Sequence, residues 1–240
     1  MVKEISDIPN RILAIDTSTK TCVLGLQDKC SGEMTSATEF VGRSHSEVIL
    51  PKIIKLLEGN ELGLEDLDLI VYGKGPGSFT GLRIGVGVVQ GLAFGLDIPV
   101  VGVSSMACLA QEALRLQGCK NSIVALTARL EEVYYGVYSE VDGFMTLVGK
   151  EGVSEAIKMP PQDTRRHWVG LGSGWKLKPQ IEKGTGVEVK KIYSSSHPNH
   201  IDILALGLEG FKNGNAVDAI FAQPEYLRET VADIPRTNLT

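Results

Sequence analysis

The chain has 240 residues, 43% of them apolar and 22% charged, which is ordinary globular composition with length for one large or two modest cores. Its formal net charge of −5 argues against a stand-alone nucleic-acid binder, whose footprint is a strong basic excess. Two short basic clusters, Arg165-Arg166-His167 and Lys190-Lys191, read as solvated surface. Cys22, Cys30, Cys108 and Cys119 show no C-x-x-C spacing, so neither a disulfide framework nor a zinc site is expected, and a reducing cytoplasm suits them. The opening MVKEISDIPN is too polar for a secretory signal.

Arg11–Asp16 (RILAID) reads as a short buried strand, followed by the polar turn TSTK, a second strand TCVLGLQ and a third, SGEMTSATEF. Ser44-His45-Ser46-Glu47 reads as a capping box opening an amphipathic helix over 45–58, with Pro51 tolerated if the helix starts late or kinks. DLIVYG (68–73) is a continuous apolar strand, and YGKGPGSFTGLRIG then leads into a glycine-rich helix over 79–96. Residues 79–96 are nearly uncharged, but Arg83 and Gln90 interrupt them, so they are not read as a membrane span. PVVGVS is the next strand, and Ser104 or Ser105 caps a helix reaching about Gln117. Crossover helices between these strands imply parallel neighbours.

The second half opens on an echo. Residues 123–137 align without a gap on 12–26, with Ile123 on Ile12, Ala125 on Ala14 and Gly136 on Gly25, which suggests a duplicated unit. Further on, a strand is expected near Trp168–Leu171, a short helix near Trp175–Ile181, a strand at Val187–Tyr193 and a helix from Pro198-Asn199 to Gly214, before an extended tail.

On a helix of 100° per residue, Gly81, Gly85, Gly87, Gly91 and Gly95 fall within an arc of roughly 160°. Five helical glycines cost on the order of 4–5 kcal/mol relative to alanine, so the bare stripe implies close approach of another backbone. That neighbour is either the helix over 45–58 or a helix of another subunit. The upstream loop matches neither G-x-x-x-x-G-K-[ST] nor G-x-G-x-x-G, so its glycines serve either an anion or a sharp turn.

RILAIDTST, the helix opening on His45 with Leu50-Pro51, YGKGPGSFTGLRIG, the ARLEEVYYG hairpin and the late PEYLR together resemble the TsaB (YeaZ) family over nearly the whole chain. That resemblance implies an α/β, actin-like ASKHA fold of duplicated β-β-β-α-β-α units with mixed sheets flanked by helices. An N-terminal unit would span 1–103, with part of the C-terminal segment packed on it, and a reduced second unit 104–240. It implies a cytoplasmic, non-catalytic partner in forming N6-threonylcarbamoyladenosine at position 37 of tRNA. The chain would heterodimerise with the catalytic TsaD, help recruit the ATPase TsaE, and meet tRNA indirectly, without a membrane. The implied interface comprises His45, Ile49 and Ile53 on the first helix and Gly81, Arg83, Gly85, Gln90 and Gly91 on the glycine-rich one, with a homodimer through the same face in isolation. Gly85→Leu is expected to block pairing.

TsaD carries H-x-x-x-H on the corresponding helix and binds a metal there. In this chain Ile49 stands four residues after His45, so no metal is expected. Asp16, Thr17, Ser18, Gly75, Gly77 and Ser78 would form a vestigial nucleotide site, with no cofactor expected on this subunit alone. Thr127 stands where relatives commonly have Asp. The alternative is an ATP-binding kinase or nucleotide hydrolase in which Asp16 holds magnesium. A peptidase reading on Ser44, His45 and Ser46 fails, because adjacent residues are poor geometry for a relay.

Overall fold

A short apolar strand between polar turns must be buried on both faces, and RILAID becomes the centre of a five-stranded sheet. In the computed structural model, which describes residues 8–193 and 197–228, β1 (Arg11–Asp16), β2 (Thr21–Asp28) and β3 (Glu33–Phe40) form an antiparallel meander. β4 (Leu69–Gly75) and β5 (Val100–Ser104) add in parallel on the other side of β1, giving the order β3-β2-β1-β4-β5. The crossovers are α1 (His45–Glu58) and α2 (Phe79–Leu96), which share one core with the sheet.

After α3 (Ser105–Gln117) the arrangement repeats. β6 (Asn121–Thr127), β7 (Glu132–Val141), β8 (Phe144–Leu147), β9 (Gly152–Glu155), β10 (Val169–Leu171) and β11 (Lys191–Tyr193) form a second sheet in the order β11-β10-β6-β7-β8, with β9 also on β7. The echo is therefore structural, since β6 and β7 take the places of β1 and β2. One detail departs from the ungapped alignment: β1 pairs Ala14 with Gly25, whereas β6 pairs Val124 with Gly136. The second hairpin closes one residue sooner.

Between the second pair of parallel strands the long helix is replaced by a 3₁₀ turn (Ser173–Leu177) and the short α4 (Lys178–Thr185). The last helix, α5 (His200–Lys212), returns to the far face of the first sheet, where Ile203 and Leu204 join Ile12, Val71 and Val101 in a core. Gly207 lets it settle, since a Cβ there would strike Val71. α3 lies beside α5 against the second sheet. The two helices are stapled by a bidentate pair, Arg115 Nε and Nη2 donating to Asp202 Oδ1 and Oδ2 at 2.9 and 2.8 Å. Asp202 is fully buried, so this fork-to-carboxylate geometry ties one lobe to the other.

Several local expectations change. Ser44 caps α1 by position only: its φ, ψ of −87°, 24° lie outside the extended region that aims a cap side chain, and no capping box forms. The helix starts at His45 and runs through the exposed Pro51. Only Lys191–Tyr193 of the expected Val187–Tyr193 strand pairs, and α5 begins at His200 with Asn199 as its N-cap, Oδ1 accepting from Ile201 N at 3.0 Å, so Pro198 lies outside the first turn. Ser104 does cap α3, accepting from the amides of Met106 and Ala107. The four cysteines are unpaired. α2 is long and apolar enough to cross a membrane on length and composition alone, and it packs on the first sheet with a third of its length buried.

Candidate functional site

The C-terminal end of β1, the loop after β4 and the first turn of α2 meet at one point. Asp16, Thr17 and Ser18 are all buried there. Asp16 Oδ1 accepts from the amide and hydroxyl of Ser18 at 3.0 and 2.8 Å, while Oδ2 has no partner. Burial pushes the Asp16 carboxyl up to about 6, against the two Ser18 hydrogen bonds, which pull it down. Thr17 Oγ1 donates to the Gly81 carbonyl at 2.8 Å, and the Ser78 amide donates to the Ser18 carbonyl at 2.6 Å.

The glycines explain how the turn can sit so close. A Cβ on Gly73 would strike the Asp16 carboxylate, one on Gly77 the Ser18 carbonyl, one on Gly81 the Thr17 carbonyl and one on Gly85 the Thr17 hydroxyl. Gly75 has φ of +108°, a left-handed conformation that L side chains rarely adopt. The loop is thus shaped to accept the chain's own β1–β2 turn. Ser78 completes it by capping α2, accepting from the Gly81 amide at 3.2 Å.

The glycine stripe divides in two. Gly81 and Gly85 face the turn, whereas a Cβ on Gly87, Gly91 or Gly95 would meet no atom within 4 Å. The outer three run along an exposed surface, with Phe94 73% exposed on α2 and Leu50 and Ile54 44% and 46% exposed on α1. Apolar side chains at such exposure, on the two helices that carry the bare backbone, leave an apolar surface uncovered.

Of the expected interface residues, only part is at the surface. Ile49 and Ile53 are core residues with no exposed area, and His45, Gly81 and Gly85 are buried, so these five cannot touch a partner directly. The correction stems from helix phase: apolar positions one turn apart on α1 fill the core, and Leu50 and Ile54 beside them face out. His45 Nε2 has no hydrogen-bond partner, and Ile49 sits a turn away, so no ligand pair forms. Among the described residues no group of three His, Cys, Asp or Glu could hold a metal. Gly91 is open, and Arg83 and Gln90 are tied to the chain's own tail.

That tail carries the PEYLR motif. Gln90 Nε2 donates to the Ala222 carbonyl at 2.8 Å, Tyr72 Oη accepts from the Gln223 amide at 3.0 Å, and Lys74 pairs with Glu225 at 2.7 Å. Arg83 donates to Tyr226 Oη at 2.9 Å and lies 3.6 Å above the Phe79 ring, a cation–π contact. Arg228 then reaches across to Glu132 of the second lobe. Residues 222–228 are a strap that bridges both lobes and walls a cavity of about 160 Å³ between the Pro76–Phe79 loop and the Ala128-Arg129 turn. The PEYLR motif supplies Glu225, Tyr226 and Arg228 of this strap.

The chain matches the family model described as "TsaD: tRNA N6-adenosine threonylcarbamoyltransferase" over residues 37–235. It is 36% identical over 228 residues to the tRNA threonylcarbamoyladenosine biosynthesis protein TsaB of Escherichia coli (strain K12), covering 92% of this chain and 96% of that one. With the TsaB of Bacillus subtilis (strain 168) it shares 37% identity over 229 residues, again covering 92% and 96%. YeaZ from Pseudomonas aeruginosa, 37% identical, superposes with a TM-score of 0.82 over 91% of this chain and 100% of that structure. A duplicated β3-β2-β1-β4-β5 sheet, a β1–β2 turn packed under a glycine-faced helix, and near full-length likeness to these relatives place the chain in the TsaB (YeaZ) family.

Proposed function

We propose that this chain is a cytoplasmic, non-catalytic subunit in the formation of tRNA N6-threonylcarbamoyladenosine, pairing with TsaD and helping to recruit TsaE. The observation that carries the pairing is the outer half of the α2 stripe. Gly87, Gly91 and Gly95 offer bare backbone to solvent between the exposed apolar side chains of α1 and α2. A related subunit with the same fold presents two helices at the matching place, and a four-helix contact buries both faces. In isolation the same surface pairs with a second copy of this chain.

The test mixes this chain with purified TsaD and follows complex formation by size-exclusion chromatography and calorimetry. Wild type is expected to form the heterodimer and Gly91→Leu to lose it by more than tenfold in affinity, while Gly91→Leu stays folded. Normal pairing by Gly91→Leu would overturn the assignment of this face.

A second reading, ATP-dependent phosphotransfer with magnesium on Asp16, draws on the unpartnered Asp16 Oδ2. The residues present do not fit that ion. Magnesium takes a near-octahedral set of oxygens, mostly water, whereas Asp16 is 1% exposed against the Gly73 backbone. Thr127 offers no second carboxylate from the opposite turn. Calorimetry with ATP and magnesium decides it, tight binding that Asp16→Ala removes being the outcome in its favour.

A further inference from the structure

The second lobe carries a groove that the proposed pairing does not use. It has a volume of about 700 Å³ and lies at the N-terminal ends of β6, β10 and β11, the opposite ends of the strands from the cavity walled by the strap. β10 pairs in parallel with both neighbours, and the register sets Ser122, Val169 and Lys191 side by side. The three strands therefore enter the sheet next to one another, each led in by cations. Lys120 precedes β6, Arg165, Arg166 and His167 precede β10, and Lys190-Lys191 opens β11. Neighbouring strands lie about 4.8 Å apart, so groups distant in sequence are brought within a span of about 10 Å.

The charge is uneven. Glu188 is the one carboxylate on the lining. Asp163 is engaged by Arg165 at 2.9 Å and Arg166 at 3.8 Å, and Glu140 by Lys120 at 3.7 Å. No carboxylate among the described residues pairs with Lys190 or Lys191. Five of the 24 Lys and Arg of a chain of net charge −5 thus meet at one edge of one sheet. A groove with an excess of one sign focuses the field and favours an extended polyanion.

We infer that this groove holds the sugar-phosphate backbone of RNA, and specifically that it makes a direct contact with the tRNA on which the proposed modification acts. The choice of RNA rests on the proposed role in tRNA modification. The lining also bears on that choice. None of the large exposed hydrophobic side chains lies in the groove, and the Trp168 on its lining is buried. Tyr193, packed partly on the second core with its hydroxyl donating to Gln117 Oε1 at 3.4 Å, leaves part of an aromatic ring on the lining, where a base can stack.

The experiment uses the full chain alone and an unmodified tRNA transcript, with binding followed by fluorescence anisotropy from low to high salt. Arg165→Ala/Lys190→Ala/Lys191→Ala removes three exposed cations and leaves Arg166, which hydrogen-bonds to Asn121 and Ser139 and helps hold the rim together. The triple variant is expected to bind at least tenfold more weakly at low salt, with its thermal midpoint unchanged. Its plot of log K against log salt should be shallower by about 1.4, from roughly 0.7 for each single-stranded phosphate that Lys190 and Lys191 no longer neutralise, Arg165 being already held by Asp163. Equal binding by wild type and variant, or no binding of tRNA by wild type, overturns the inference. Preference for polyglutamate over tRNA overturns it in favour of an acidic protein. Because TsaD is absent, failure here leaves the pairing through α2 standing, and failure of that pairing leaves this result untouched.

Discussion

The two lobes share a hairpin but treat its turn differently. In the first, Asp16, Thr17 and Ser18 are buried beneath α2, and their hydroxyls and carbonyls are held by its first turn and the loop before it. In the second, the aligned Thr127 and Ala128 are half-buried and Arg129 is exposed, with Leu130 just beyond them 93% exposed. The difference lies in the segment after the neighbouring parallel strand. β4 runs through glycines into an 18-residue helix with a bare inner face, whereas β10 runs into a 3₁₀ turn whose Gly174 packs on Ala125, below the hairpin turn. Side-chain-free helix backbone turns the first hairpin into packing, and its absence leaves the second hairpin on a cleft wall.

That contrast can be broken most sharply at Gly85. Gly85→Leu forces a side chain into the Thr17 hydroxyl and is expected to destabilise the fold by about 3 kcal/mol or more, as overpacking of a rigid contact does. Urea unfolding measures it. A stable Gly85→Leu protein would show that the turn is not locked by the helix. Gly85→Leu therefore cannot test partner binding, since it acts first on the monomer.

Asp16 gives the next effect. Its folded pKa, near 6, lies above the ordinary value of 3.8, so the folded state holds a proton that the unfolded chain has released. Stability from this group is full below pH 4 and is lost as pH rises through 6. Over that window the wild type should lose about 3 kcal/mol relative to Asp16→Asn, which has no proton to release. Parallel pH profiles for the two proteins would mean the carboxylate is better solvated than its burial implies.

Gly91→Leu reads the other half of the stripe. The site is open, so the monomer should gain about 0.8 kcal/mol from helix propensity while pairing disappears, giving opposite signs in two measurements. A loss of monomer stability would place Gly91 against the chain itself. Smallest of all is Thr127→Asp, which restores a carboxylate at the second turn. It should change stability by less than about 0.5 kcal/mol and add no ATP–magnesium heat in calorimetry.

Much of this architecture was legible in the residues. The ILAI run, the TSTK turn and their echo at 123–137 carry strand, turn and strand because period and turn chemistry are local properties. The glycine arc was legible too, but not its division. Gly81 and Gly87 look alike in sequence, and only the position of Thr17 across the fold tells them apart. Ile49 and Leu50 are likewise neighbours of similar hydropathy, and the phase of α1 on the sheet decides which faces out.

Residue order was enough to set the element types, the duplication and the family, since these rest on short-range periodicity and motifs that hold in any context. Folding in three dimensions was needed to settle which glycines are filled from within and that residues 222–228 strap the lobes. It also brought three basic segments, distant in sequence, to one sheet edge. Each of these depends on contacts between residues tens of positions apart, and no local pattern encodes where a folded chain will meet itself.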